Sequence, residues 1–430
     1  MIGPVPSRWT RPGKRPFRVV VVEPDLEENG SIRVDLDRVR RWQATGAEVA
    51  VVVLERKDET PWVPVPPGLD IRFASRRPRR FRYVYALGLA KVWWLARRSD
   101  VVVSGREVQN GLLLAAAAAR WSRRPLAVTM HAWVERALTE HIEERFHAAT
   151  RQALRRADLV VCVSADLTQA AEQVGVASER IRAVSNGIDA AEVQRQAALA
   201  PEVALPDGPL LVGCGRLNEQ KGFDLLVRAH ARALALGAPA HSVVVVGDGP
   251  DRGDLQRLAE AEGVAATFTF PGFASNSSAV IGRADLFVFP SRYEGFGMAL
   301  VEALCLGVPV ASARCPSGPE EILEGGRFGA LFPVEDVEAL ARIICGHLQA
   351  PEDLRLRAHR GAAVVGERFS AAAAAQRHLD LLRGLAPPRR PSPWARLRGR
   401  PSLAGPGTTG PGDEPSPWRP DPARGRMRGA

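Results

Sequence analysis

Cysteine, long apolar runs and acidic residues in the terminal segments are scarce in this chain of 430 residues, and each scarcity removes a class of protein. The five cysteines, Cys162, Cys214, Cys305, Cys315 and Cys345, are odd in number and scattered. That excludes a disulfide framework and the paired spacing of a structural zinc site, and it fits reduced thiols in a cytoplasm. No apolar run approaches the roughly twenty residues needed to cross a bilayer. Lys91 and neighbouring arginines bracket the one Trp-rich stretch, and Val101–Val103 is far too short. The opening residues, Met1 to Pro6, offer no apolar core of the secretory-signal kind. No fixed-period repeat is evident, and no clear Asp-x-Asp metal loop stands out.

The formal net charge is +10, which raises nucleic acid as a partner. Residues 1–16 carry +4 without an acid, and residues 387–430 carry +6, so the region between them is balanced overall. Eleven prolines with frequent Gly and Ser make 387–430 a disordered tail in this reading. The simplest role for its arginines is solubility, and no nucleic-acid partner is expected. One basic cluster lies inside the body of the chain. Arg76, Arg77, Arg79, Arg80, Arg82, Lys91, Arg97 and Arg98 surround Tyr83, Tyr85, Trp93 and Trp94 without an acid. Residues 76–98 therefore read either as an interfacial helix on anionic lipid at the inner face of a cell membrane or as an ordinary helix covering a sheet.

What is present throughout is alternation of short β-branched runs with helical patterns, which predicts doubly wound α/β layers. Strands are expected at Arg18–Glu23, Glu48–Leu54, Ile71–Ala74, Val101–Ser104, Leu126–Thr129, Leu159–Val163 and Ile181–Val184, with helices at Gly111–Trp121 and Glu135–Ala157. Length allows two or three domains. The boundaries read as a basic tail at 1–16, a first domain at 17–189, a connection at 190–208, a second domain at 209–369, a helix at 370–386 packing back on the first domain, and the tail at 387–430.

In the second half the motifs become specific. The run Leu286–Phe289 reads as a strand buried on both faces, Gly295 and Gly297 release the backbone into a turn, and a helix starts at Met298. A helix entered through glycines at the carboxyl edge of a sheet presents unpaired N–H groups to an anion such as a diphosphate. Upstream, Leu210–Gly213 runs into Arg216, Lys221 and Gly222, with a helix from Phe223. The Gly213-Cys214-Gly215 start is not a dinucleotide fingerprint, because Asn218 stands where its third glycine belongs. Two further strands end in Gly247-Asp248-Gly249-Pro250 and in Pro271-Gly272-Phe273.

This order of motifs, with Glu294 and Glu302 eight residues apart, resembles the Glu-x7-Glu element of retaining family-4 glycosyltransferases. The resemblance implies the GT-B fold: two Rossmann-like doubly wound domains facing a central cleft, with donor on the second and acceptor on the first. It implies a catalytic Glu294 near the donor sugar and Glu302 on the ribose hydroxyls. Arg216, Lys221, Gly297 and Gly30 would contact the diphosphate, and Gly247, Asp248, Gly272 and Phe273 would flank the base and ribose. Phe296, Pro319 and Glu320 would belong to the sugar and acceptor loop, and His131 would act beside Glu294. The Cys315–Ile322 loop is similar to that of bacterial members building polysaccharides or lipid-linked oligosaccharides. The expected reaction transfers a hexose or N-acetylhexosamine from a nucleoside diphosphate sugar, foremost a UDP-sugar, to a saccharide or lipid-linked acceptor, without metal or other cofactor. A UDP-sugar 2-epimerase of the same architecture, a noncatalytic nucleotide-sugar module and an adaptor built on the basic tails are the competing readings.

Overall fold

In the computed structural model, the described residues are 15–26, 30–55, 65–74 and 81–386, with the backbone alone for 81–85, 109, 140 and 141. Residues 1–14 of the N-terminal tail, the whole tail 387–430 and Arg76–Arg80 lie outside them.

The first sheet holds β1 (Arg18–Glu23), β2 (Glu48–Val53), β3 (Asp70–Phe73), β4 (Val101–Ser104), β5 (Leu126–Met130), β6 (Leu159–Cys162) and β7 (Ile181–Ala183), all parallel in the order β3-β2-β1-β4-β5-β6-β7. The second holds β8 (Leu210–Cys214), β9 (Ser242–Val246), β10 (Phe268–Gly272), β11 (Leu286–Phe289), β12 (Val310–Ala313) and β13 (Ala330–Phe332), parallel in the order β10-β9-β8-β11-β12-β13. Pro271 is tolerated in β10 because that strand lies at the sheet edge. Strand order reverses beside β1 in one sheet and beside β8 in the other. At such points loops diverge and leave a crevice beyond the carboxyl ends of the strands.

The helices of the first half are α1 (Gly30–Ala44), α2 (Phe81–Ala96), α3 (Gln109–Ser122), α4 (Val134–His141), α5 (His147–Arg156) and α6 (Asp166–Gln173). Alternate valines of β1 explain the layers. Val19 and Val21 pack with Ile32, Leu36, Val39 and Trp42 of α1, while Val20 and Val22 pack with α2 and α3. Burying each such side chain contributes about 1.5–3 kcal/mol. The continuous helix expected over Glu135–Ala157 is broken. Ile142 turns extended at φ −127°, and the His147 ring meets the Leu138 and Ile142 carbonyls there, at 3.0 and 2.9 Å.

The connection expected at 190–208 opens with a helix. Residues Ala190–Ala197 form α7, whose Asp189 cap accepts from the Glu192 N–H at 3.1 Å and whose Val193 is buried. The second sheet is flanked by α8 (Phe223–Ala235), α9 (Arg252–Ala261), α10 (Ser277–Ile281), α11 (Met298–Cys305), α12 (Pro319–Ile322), α13 (Val337–Gln349) and α14 (Glu352–Arg368). The last helix, α15 (Ala371–Leu385), returns to the first half. There Trp42 donates from Nε1 to the Ala375 carbonyl at 2.9 Å, and His378 sits edge-on to the Trp42 ring. Among the described residues no helix is long and apolar enough to cross a membrane.

Candidate active site

The loops after β8 and β11 emerge side by side, at the reversal point of the second sheet, and are stitched together. The Arg292 N–H donates to the Gln220 carbonyl at 2.8 Å, and the Gln220 amide donates to the Tyr293 carbonyl at 3.0 Å. Arg292 then forks onto Asp224 at 2.8 and 2.9 Å, a bidentate geometry that fixes the turn. Within this frame Lys221 Nζ donates to Glu294 Oε1 at 2.6 Å, with the carboxylate side chain only 6% exposed. The Arg216 side chain is exposed at the same loop.

Backbone geometry explains why glycines punctuate Glu294–Gly297. Gly297 caps α11 at φ 103°, a left-handed conformation that other residues adopt only at a cost. At Gly295 a Cβ would stand 1.7 Å from the His131 carbonyl oxygen, so only glycine lets the turn meet the end of β5. The N-terminal turn of α11 and Lys221 thus supply positive potential around one buried carboxylate.

Glu302 lies on α11. Burial pushes its carboxyl up to about 6, offset by the nearby Arg33 cation and a hydrogen bond from Ser277. Burial, with the Glu302 charge, also pushes the Cys214 thiol up to about 12, so it is no nucleophile near neutrality. The turns after β9 and β10 join this end: Gly247 N–H donates to the Gly272 carbonyl at 2.9 Å, and Leu217 N–H to the Asp248 carbonyl at 3.0 Å. Asp248 is exposed and Phe273 is 48% exposed beside them. Arg33 of α1 reaches the same end from the first domain, its guanidinium 3.5 Å from the Ser275 carbonyl.

The first domain brings up the ends of β1, β4 and β5. Gly30 opens α1 and is exposed. The His131 N–H donates to Glu107 Oε2 at 3.0 Å, and its ring nitrogen Nε2 stands 3.1 Å from Asp35 Oδ2. Both ring nitrogens are buried, so the His131 carbonyl, not its imidazole, faces Gly295. Asp35 also pairs with Arg38 at 2.8 Å, and Arg38 donates to Asn186 Oδ1 at 3.1 Å. Burial alone would raise the Asp35 carboxyl, but His131 and Arg38 overcome it and hold it at about 2. Glu23, fully buried beneath them, is pushed well up by burial and by Asp35.

Loops from the two carboxyl edges meet directly. Trp133 donates from Nε1 to Ser317 Oγ at 2.8 Å, and the Ser317 N–H donates to Asp166 at 2.9 Å. Glu321 accepts from the Ala165 N–H at 3.1 Å and from Ser185 at 2.9 Å, and Arg136 lies 4.2 Å over the Tyr293 ring. Of the residues read from sequence, Arg216, Lys221, Gly297, Glu294 and Glu302 converge with the Gly247, Asp248, Gly272 and Phe273 turns. Pro319 is buried at the start of α12, and Glu320 pairs with Arg314 at 2.5 Å. Phe296 buries its ring edge-on against Phe369 at 5.3 Å and leaves only backbone at the turn.

Sequence reasoning missed Asp35, Arg38, Glu107, Arg33 and Trp133, and took in Glu321 only as part of the Cys315–Ile322 loop. Asp35 and Arg38 left a signal: they interrupt the apolar face Ile32, Leu36, Val39 and Trp42 of an amphipathic helix.

Two family profiles cover this architecture in succession. "Glycosyltransferase Family 4" matches residues 29–192 and "Glycosyl transferases group 1" matches residues 195–362. The chain belongs to the family-4 glycosyltransferases.

Among the family's curated proteins, a lipopolysaccharide core biosynthesis glycosyltransferase, LpsE of Rhizobium meliloti, is 30% identical over 53% of this chain and 65% of its own length. A GDP-mannose-dependent phosphatidylinositol monomannoside mannosyltransferase of Mycolicibacterium smegmatis is 33% identical over 47% of this chain and 56% of its own. The chain thus spans between half and two thirds of these relatives. Anabaena HepE, solved with UDP and glucose, superposes with a TM-score of 0.70 at 20% identity over 86% of this chain and 100% of that one, so the GT-B fold is common to both.

Proposed function

We propose that this family-4 protein transfers a hexose or N-acetylhexosamine from a nucleoside diphosphate sugar, foremost a UDP-sugar, to a hydroxyl of a polysaccharide or lipid-linked saccharide with retention of configuration. The observation that carries the reading is the Lys221–Glu294 pair at 2.6 Å, set between the exposed Arg216 and the start of α11. LpsE, named for lipopolysaccharide core synthesis, supports the acceptor class, and HepE with UDP supports the nucleotide.

In this mechanism Arg216, Lys221 and the first N–H groups of α11 hold the diphosphate and take up charge as it leaves, which makes metal unnecessary. The acceptor oxygen bonds to the anomeric carbon as the bond from that carbon to the diphosphate oxygen breaks. The electron pair leaves with the diphosphate, whose freed oxygen takes the acceptor proton on the same face. Glu294 orients the sugar, Glu302 accepts from the ribose hydroxyls, and the His131 turn closes over them from the first domain. This reading places the reaction in the cytoplasm.

Calorimetric titration with UDP, GDP, ADP and their sugar conjugates, with and without EDTA, tests the donor site. UDP-selective binding that survives EDTA and is lost in Lys221→Ala is the expected result; no binding by any nucleotide overturns it. With donor and a saccharide acceptor, Arg216→Ala and Lys221→Ala should each lower kcat/KM by about 10²–10³-fold. An epimerised nucleotide sugar formed without acceptor would instead make the chain an isomerase.

A further inference from the structure

A second surface lies at the opposite edge of the first sheet. The C-terminal ends of α2 and α3 stand side by side there: the Arg124 guanidinium donates to the Arg97 carbonyl at 3.2 Å, and Arg15 donates to the Arg98 carbonyl at 2.5 Å. At this junction Trp94 is 47% exposed and Trp121 is 61% exposed. Leu87, two turns before Trp94 on α2, is 65% exposed. Arg97, Arg98, Arg120 and Arg123 are all exposed around the indoles, and the Arg98 guanidinium stacks 3.8 Å over the Trp94 ring.

Among the described residues, the carboxylates at this edge are engaged elsewhere. Asp100 accepts the Arg18 N–H at 2.8 Å, Asp158 accepts the Leu126 N–H at 2.9 Å, and Glu48 pairs with Arg18 at 2.5 Å. Cations at helix C-termini complement the helix dipole, which accounts for some of the arginines. It does not account for two exposed tryptophans on adjacent helices. Indoles ringed by arginines, at the end of a helix pair, match the region where lipid headgroups meet acyl chains. Arginines without free carboxylate neighbours match the negative surface of an anionic leaflet.

We infer that this end of the first domain docks on an anionic lipid surface, Trp94 and Trp121 entering the headgroup layer while Arg97, Arg98, Arg120 and Arg123 pair with lipid phosphates. The carboxyl edge, with Gly30 and His131, then points away from the bilayer, and docking leaves it open. The inference stands on this surface alone and does not depend on which donor the chain uses.

The test is co-sedimentation of the full chain with phosphatidylcholine vesicles and with vesicles of equal parts phosphatidylcholine and phosphatidylglycerol. Binding to the anionic vesicles only is expected. The double variants Trp94→Ser with Trp121→Ser, and Arg97→Glu with Arg123→Glu, should each lower the partition coefficient by about tenfold or more. Circular dichroism and thermal midpoint serve as the fold control for both. Brominated acyl chains should quench the parent's tryptophan fluorescence and quench the tryptophan variant less. If both variants bind like the parent, the arginine-rich segments 1–16 and 387–430 carry the attraction and the inference falls. It falls equally if the arginine pair governs binding to single-stranded RNA while vesicle binding is unchanged.

Discussion

Lys221 and Glu294 neutralise each other at 2.6 Å, so a diphosphate that takes Lys221 competes with a carboxylate already in contact. Glu294→Gln removes that competitor. It should bind UDP about two- to tenfold more tightly, while transfer falls by roughly 10²-fold or more. Titration calorimetry beside a transfer assay separates the two effects, and weaker UDP binding in the variant would show that the carboxylate does not compete. Asp35 makes a different prediction. Its loss leaves Arg38 buried without its nearest carboxylate, so Asp35→Ala should cost about 3–5 kcal/mol in urea unfolding. A cost under 1 kcal/mol would mean that the network relaxes around the gap. Lys221 and Glu294 were legible in the sequence because glycines and strand ends announce their loops. Asp35 was not, since its partner His131 lies on another strand end and only the fold brings the two to 3.1 Å.

At the scale of elements, α8 is joined to the start of β9 by a buried histidine pair. His230 Nδ1 is 2.9 Å from His241 Nε2, and His230 Nε2 is 2.8 Å from Thr267 Oγ1. Burial first, and then the adjoining His241, lower the His230 imidazole to about 3, and burial lowers His241 as well. The folded state therefore holds both neutral, whereas the unfolded chain takes protons as pH falls through about 6.5. The stability they allow is full above that pH and is lost progressively below it, by up to about 1.4 kcal/mol per pH unit for each proton taken up. His230→Gln should flatten the fall of the urea midpoint between pH 7 and 5; an unchanged slope would place the protons elsewhere. Helix ends show what patterns miss. The polar, alanine-rich stretch after Asp189 reads as a connection, and its Asp189 cap and buried Val193 give that stretch a helix, α7. Asp189→Ala should cost about 1 kcal/mol, read from the same unfolding curves.

At the scale of the whole molecule, two Rossmann-like halves are joined by polar contacts through Ser317, Asp166 and Glu321, by α15 crossing back to α1, and by a buried apolar cluster that runs through Ile188, Val193 and Phe369. The polar part of such an interface permits relative motion once its contacts are removed. The double variant Asp166→Ala with Glu321→Ala should enlarge the radius of gyration measured by small-angle scattering at saturating UDP; an unchanged radius would show that α15 and the apolar contacts suffice. The alternation of valine-rich runs with amphipathic segments determined the seven strands of the first sheet nearly to the residue, because strand and helix periods are local properties of the chain, whereas β12 and β13, short and without that valine signature, were not read. The motif order likewise pointed to the loops after β8 and β11 that the structure brings side by side. Tertiary structure alone decided that the Glu135–Ala157 helix breaks, that Phe296 turns inward against Phe369, and that the His131 imidazole faces Asp35 rather than Glu294. Each of those outcomes depends on a partner distant in sequence or on a carbonyl that a side chain meets. Periodicity records which face of a segment is buried but not what waits there to meet it.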